Sequence, residues 1–456
     1  MLSNENSTTR ATAAVTTDQA VVPATPAVHS DKLAQTNRRV LLIAFHFPPE
    51  AISSGIQRTL SFFKHLGKYG WEPMVLSAHP RVYRQQNPSQ LASLPASQVV
   101  RRAFALDTKY HMGIKGRYLE LLALPDRWVS WFFGAVPAGL SLIRQHRPQV
   151  IWSTFPIATA HLIGLALHRL TGLPWIADFR DPMLQPAYPT AKLQRKVYQW
   201  IEAETVKRCT FAVLTTHSAM STYRTRFPEL ASKFTVIENG YDEDGLAASA
   251  PTARAAAPAD EERITLLHSG VLYQTGRNPS AFMKAVAMLK EEGAVSAATL
   301  RVILRAPGEA EAMLELAQQH GVDDIVEIAP SVPYREALRE MLSVDGLMVF
   351  QGTPFNTQIP AKLYEYFWAR RPILGLVDPT GETARVMGAA GFESVAHMDR
   401  PESIVPVLKA FIEQIRSGSV HVASDEVVKQ CSRANRAQQL AHLLDAAIST
   451  SKVKAA

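Results

Sequence analysis

Short apolar runs alternate with segments of helical period along this chain, and the whole alternation occurs twice. No other feature constrains the fold as much. A strand buried on both faces reads as an unbroken apolar run, and a parallel neighbour is reached only through a crossover, usually a helix. The first series has apolar runs at 40–45, 74–76, 99–106, 150–154, 175–177, 211–215 and 234–237, with helical patterns at 55–69, 127–147, 161–170 and 191–208. The second has runs at 264–268, 300–304, 325–328, 347–350 and 373–377, with helical patterns at 279–290, 310–320, 335–342 and 360–369. Between them GLAASAPTARAAAPAD is small, proline-containing and without period, the composition of a linker. The expected fold class is α/β: two doubly wound, Rossmann-like domains, 38–244 and 263–425, joined by a linker at 245–262 and facing each other across a cleft. Residues 1–37 are expected to be a disordered leader. A last helix over 426–456 is expected to pack back on the first domain.

Charge is distributed unevenly. Residues 38–245 carry 25 basic and 14 acidic side chains, whereas residues 246–456 carry 21 and 24. A basic first half meets an anionic substrate or surface more readily than a neutral one. No basic, aromatic-interleaved reader motif accompanies it, so nucleic acid is not the expected partner. The two cysteines, Cys209 and Cys431, exclude a disulfide scaffold and a cysteine-based zinc site and fit a reducing, cytoplasmic setting. The longest uncharged stretches, 128–143 and 149–167, are interrupted by Pro137 and by Ser153, Thr154, Pro156, Thr159 and His161, so neither reads as a membrane span.

Common chemical signatures are absent. There is no G-x-G-x-x-G, G-x-S-x-G or H-E-x-x-H, and Gly270 to Asn278 fails as a Walker A loop by its spacing and by Arg277-Asn278 where Lys-Ser/Thr is required. Two strand-to-helix junctions remain. In the first, Gly270 directly follows a strand, where a glycine lets backbone N–H groups approach a phosphate, and Arg277 follows at the next helix. In the second, Pro360 stands in the first turn of a helix, with Asn356, Thr357 or Gln358 available to cap it. Lys362 and Glu365, three residues apart, share a face of that helix. A lysine suits a phosphate and a carboxylate suits paired ribose hydroxyls. Combined, the junctions make one nucleoside-diphosphate site at a sheet's carboxyl edge.

Those residues carry a resemblance. From about Arg39 to Leu444 the chain resembles a glycosyltransferase of the GT-B fold, family-4-like. The supporting segments are AFHFPPEAISSGIQRTLSFFKHLGKYGW, PQVIWSTFPIATAHLIGLAL, PWIADFRDP, VIENGYD, LLHSGVLYQTGRNP and IPAKLYEYFWARRPILGL. The resemblance implies a transferase that moves a sugar from a nucleoside-diphosphate sugar to an acceptor hydroxyl, with retention and without a metal or further cofactor. It implies a donor held by the second domain and an acceptor held by the first. Arg277 and Lys362 would neutralise the departing diphosphate, and Glu365 would hold the ribose. The family's paired glutamates are half present, since the first falls on Thr357; Asn356 and Thr357 are therefore candidates for the donor sugar.

On the acceptor side, Gly55 lies in a stretch resembling the family's glycine loop, and His46 is either a general base or a structural histidine. Asp178 either orients the acceptor hydroxyl or pairs with Arg180. Tyr118, Leu119, Leu121, Leu122, Trp128, Trp131, Phe132 and Phe133, flanked by Lys115, Arg117 and Arg127, either lie in a lipid interface or pack the core. A lipid-linked acceptor and peripheral attachment to an anionic membrane, in cell-surface polysaccharide or glycolipid synthesis, follow from the first choice. Two rivals share the fold: a nucleotide-sugar 2-epimerase and a catalytically degenerate nucleotide-sugar-binding assembly protein.

Overall fold

The computed structural model describes residues 38–51, 55–94, 98–113, 118–185, 188–243, 263–273 and 275–455. The expected leader and linker, together with Lys115 and Arg117, lie outside them. Among the described residues thirteen strands form two sheets. The first contains β1 (Arg38–Ile43), β2 (Trp71–Ala78), β3 (Val100–Ala103), β4 (Val150–Thr154), β5 (Trp175–Arg180), β6 (Phe211–Leu214) and β7 (Phe234–Val236) in the order β3-β2-β1-β4-β5-β6-β7. The second contains β8 (Ile264–Ser269), β9 (Leu300–Arg305), β10 (Val326–Ala329), β11 (Gly346–Gln351), β12 (Ile373–Val377) and β13 (Val395–Ala396) in the order β10-β9-β8-β11-β12-β13. All pairings in both sheets are parallel.

Both faces of each sheet are covered, which is why the strands read as unbroken apolar runs. In β1, Leu41 and Ile43 enter one apolar cluster while Val40 and Leu42 enter another. In β11, Met348 and Phe350 face one way and Leu347 and Val349 the other. Strand order reverses between β1 and β4 and again between β8 and β11. Ligands of open parallel sheets bind beyond the carboxyl ends at such switch points.

The last helix departs from its expected form. It is broken into Asp425–Gln430 and Arg433–Ala455. At the break the Tyr241 amide donates to the Cys431 carbonyl (3.1 Å) and the Arg433 amide to the Tyr241 carbonyl (3.0 Å). A backbone bridge from so distant a segment leaves no trace in local periodicity. The second piece lies on the first sheet: Ala437, Leu440, Ala441, Leu444 and Ala447 are buried against Val40, Leu42, Trp71 and Trp152. Asp445 there accepts from Arg38 (2.5 Å) and from the Trp71 indole (3.1 Å). Helices His217–Arg226, Glu382–Ala389 and Pro401–Ser417 add to those expected.

The 118–133 segment divides between the two fates considered for it. Trp131 is fully buried, and the half-buried Trp128 and Phe132 pack against the same core. Leu119, Leu121 and Phe133 stand out from the surface at 71%, 70% and 73% exposure. Among the described residues no helix is long and apolar enough to cross a membrane.

Candidate functional site

At the end of β8 the chain turns at Gly270 with φ 128°, a conformation that side chains other than hydrogen rarely tolerate. A Cβ there would lie 2.6 Å from the Lys362 Nζ. Glycine is thus what lets an ammonium group rest against the backbone at this strand end. Lys362 opens the Lys362–Ala369 helix, and its Nζ lies 3.3 Å from Nε2 of His268. The His268 Nδ1 is 2.9 Å from the Met348 carbonyl, which can only accept, so Nδ1 carries the proton and Nε2 accepts from the lysine. Burial, then the nearby lysine charge, pushes the His268 pKa well below the ordinary histidine value and keeps the ring neutral. Burial also pushes the Lys362 amine down to about 7; Arg277 adds to that shift and Glu365 opposes it. His268 was not singled out by the sequence reading, although a histidine ending an apolar strand beside Gly270 was its available signal.

Arg277 is held on three sides. Its Nε donates to Gln351 Oε1 (3.1 Å), and the guanidinium lies 5.4 Å from the ring centres of both Tyr273 and Phe355. Gln351 is itself fixed by donating to the carbonyls of Phe355 (3.2 Å) and Gln358 (3.4 Å). The Gly352 amide donates to the Gly276 carbonyl (2.8 Å), clasping the two loops together. Burial lowers the Arg277 pKa. One helical turn beyond Lys362, Glu365 accepts from the Tyr334 hydroxyl (2.9 Å). Burial raises its pKa, while that hydrogen bond, Arg433 and Lys362 work in the opposite direction. Gly270, Arg277, Lys362 and Glu365 are therefore brought together at the carboxyl edge of the second sheet.

Facing them is a cavity of about 210 Å³, lined from both domains by Arg58, Arg180, Glu238, Arg277, Arg433 and Arg436 among others. Two expectations for the first domain need correction here. Asp178 does not pair with Arg180 and is not open to an acceptor. It is fully buried, holds Arg58 through two bonds of 2.9 Å, and accepts a third from the Thr154 hydroxyl (2.9 Å). Arg58, which the sequence reading passed over, also donates to the Ile237 carbonyl (3.0 Å) and so ties its helix to the end of the first sheet. Arg180 sits at an irregularity in the β5–β6 pairing with φ 63°.

The donor-sugar candidates Asn356 and Thr357 lie in the loop before the Lys362–Ala369 helix, and neither caps that helix. The Asn356 side-chain amide donates to Asp378 (2.7 Å), and the Asn356 backbone carbonyl accepts from the Glu382 amide (2.8 Å). Asp378, held well below the usual carboxylate range first by Asn356 and then by Thr380, staples that loop. The Thr357 carbonyl accepts from the Thr216 hydroxyl (2.7 Å), which places Thr357 at the seam between the domains with its side chain exposed. The Lys362–Ala369 helix starts two residues after Pro360 and has no side-chain cap. His46 pairs with Glu50 (2.6 Å) in the loop after β1, and Gly55 opens the Gly55–His65 helix. Among the described residues no three His, Cys, Asp or Glu are grouped to hold a metal ion.

The chain matches no protein-family model. No curated protein matches it. Solved structures do match along nearly its whole length. Sucrose-phosphate synthase from Thermosynechococcus elongatus superposes with a TM-score of 0.61 at 12% identity, covering 91% of this chain and 100% of that one. HepE from Anabaena, in complex with UDP, gives 0.60 at 12% identity, covering 90% and 100%. Trehalose 6-phosphate synthase from Burkholderia multivorans gives 0.59 at 11%, covering 92% and 98%. The chain has the GT-B fold, two Rossmann-like domains with parallel sheets.

Proposed function

We propose that this protein is a glycosyltransferase that moves a sugar from a nucleoside-diphosphate sugar to an acceptor hydroxyl, with retention and without a metal. The observation that carries this reading is the convergence of Gly270, Arg277, Lys362 and Glu365 at one sheet edge, opposite a cationic cavity. Arg277 and Lys362 meet the diphosphate and stabilise the charge that builds on it as the bond to the sugar breaks. His268 and Gln351 hold the two cations in place before the substrate arrives, so that little reorganisation is needed. Glu365 takes the ribose hydroxyls, fixing where the anomeric carbon lies. HepE, of the same fold, is described in complex with UDP and with UDP-glucose, which supports a nucleotide-sugar donor here.

A panel of UDP- and GDP-sugars tests this by thermal shift, because a ligand of the native state raises the melting temperature. At least one is expected to raise it by several degrees at about 100 times its Kd, corresponding to about 2.7 kcal/mol. No shift with any member would refute the reading. Turnover of donor to an isomer without acceptor would assign the protein to the epimerases instead.

The acceptor in this reading is presented at an anionic lipid surface, in polysaccharide or glycolipid synthesis. Leu119, Leu121 and Phe133 are the apolar contacts. Arg84 and Lys109 lie 4.7 Å and 5.8 Å from the ring centre of the exposed Tyr110, which gives this face positive charge, whereas Arg127 beside them is paired with Asp107 (3.3 Å). Each such residue contributes about 1 kcal/mol near an anionic membrane. Vesicles containing phosphatidylserine are expected to sediment the protein, neutral vesicles much less, and Leu121→Ser with Phe133→Ser to abolish the difference. Equal recovery in the supernatant with both vesicle types would remove the lipid surface from the proposal.

A further inference from the structure

The cleft cavity is lined by five arginines, and their charges are not equally met. Arg58 pairs with Asp178, Arg436 with Glu238 (2.8 Å) and Arg433 with Asp242 (3.4 Å). Arg277 and Arg180 make no ion pair with a carboxylate among the described residues, nor does Lys362 beside them. Two cations that line the cavity, Arg180 and Arg277, therefore lack a carboxylate partner, and Lys362 lies near enough to Arg277 to feel its charge. The diphosphate of a nucleotide sugar brings two negative charges, which Arg277 and Lys362 of the second domain answer. Arg180, on the first domain, is left over.

Its surroundings point to a ligand. The Arg180 Nε is buried without a hydrogen-bond partner, and the guanidinium makes only a long contact with the Phe155 carbonyl (3.5 Å). In the same cavity wall the Ser61 hydroxyl is buried and also lacks a partner. Buried polar groups are almost always satisfied, so two orphaned donors in one cavity call for an acceptor that arrives from outside. The backbone supports this. Arg180 is held at φ 63° where β5 loses register with β6, a conformation costly for a residue with a side chain and characteristic of ligand clamps. Burial and the neighbouring Arg58 both disfavour its charge, with Asp178 and Asp181 compensating only from a distance, so a bound anion would relieve a real cost.

We propose that Arg180 and Ser61 receive a phosphate group carried by the acceptor, so that the second substrate is a phosphorylated molecule. This rests on the nucleotide-sugar reading above and narrows its acceptor. Phosphate fits better than carboxylate because its tetrahedral oxygens can meet the guanidinium fork and the separate hydroxyl together, whereas the fork alone occupies both oxygens of a carboxylate.

The test is calorimetric titration of inorganic phosphate into the full chain saturated with the nucleoside diphosphate it binds, with acetate as the carboxylate control. Phosphate is expected to bind and acetate not. Arg180→Gln is expected to weaken phosphate about tenfold or more while nucleotide affinity changes less than about twofold, and Ser61→Ala to weaken phosphate by a smaller factor. Should Arg180→Gln fail to fold, Arg180→Lys and Ser61→Ala carry the comparison. The proposal is overturned if phosphate does not bind the nucleotide-saturated protein, or if the variants bind it as tightly as the parent. It is also overturned if Arg180→Gln costs tenfold in nucleotide affinity, for Arg180 is then a third ligand of the diphosphate. If no nucleoside diphosphate binds at all, the donor assignment fails separately, and phosphate binding to the free chain that is lost in Arg180→Gln still supports the anion site.

Discussion

Replacing Arg277 or Lys362 by alanine is expected to lower turnover about 10²–10³-fold while the chain stays folded, the usual loss when a preorganised charge-stabilising donor is removed. The two residues should be separable by pH. Lys362 titrates at about 7 in the free protein because burial and Arg277 disfavour its charge. An incoming diphosphate favours the charged form, so above that value binding must take up a proton. Nucleotide affinity is then expected to fall with rising pH, approaching tenfold per unit from about pH 7 upward, until the lysine pKa of the complex is reached. In Lys362→Met this slope should vanish, whereas in Arg277→Ala it should persist on a weaker baseline. Folding responds in the opposite sense: between about 7 and the ordinary lysine value of 10.5 the unfolded lysine holds a proton that the folded one has lost, so this group's contribution to stability rises with pH across that window. Calorimetry in buffers of different ionisation enthalpy measures the proton uptake directly. Near-normal turnover in both alanine variants, or a pH slope that survives Lys362→Met, would defeat the assignment.

What the sequence could and could not reveal follows from the range of the physics involved. The strand runs and crossover helices are local patterns of burial, and the two doubly wound sheets are legible from them. Gly270, Lys362 and Glu365 are legible for the same reason: a glycine after a strand and a charged pair at helical spacing are visible within a dozen residues. The partners that orient them are not. Gln351 grips Arg277, Tyr334 grips Glu365 and Met348 fixes His268 across strands and loops that only the finished topology brings together. The expected Asp178–Arg180 pair and Asn356 helix cap gave way to distant partners for the same reason. Each was judged against neighbours in sequence, Arg180 and the Pro360 turn, while the structure satisfied each with a distant group, Arg58 and Asp378. The broken C-terminal helix is the backbone version of the same effect, with Tyr241 as the distant partner.

Asp178→Ala is expected to destabilise the protein by about 3–5 kcal/mol, because it leaves the Arg58 guanidinium buried without its counter-charge. The arrangement makes this cost unusually hard to evade. Both side chains are nearly inaccessible, at 6% and 0%, and Arg58 is held by the Ile237 carbonyl, so it cannot swing out to water without unpinning the end of the first sheet. Arg180 lies close enough to feel the Arg58 charge, and removing Asp178 exposes each guanidinium to the other's repulsion. Denaturant unfolding reads the loss, and a paired substitution separates it from a catalytic role. Replacing both partners by apolar residues of similar volume, Arg58→Met with Asp178→Leu, should recover much of the stability, since a buried ion pair roughly balances its own desolvation cost. The coupling energy from that double-mutant cycle should exceed about 1 kcal/mol. A group that orients an acceptor would behave otherwise. Its loss would lower kcat with little change in unfolding, and no compensating partner at position 58 would restore the fold.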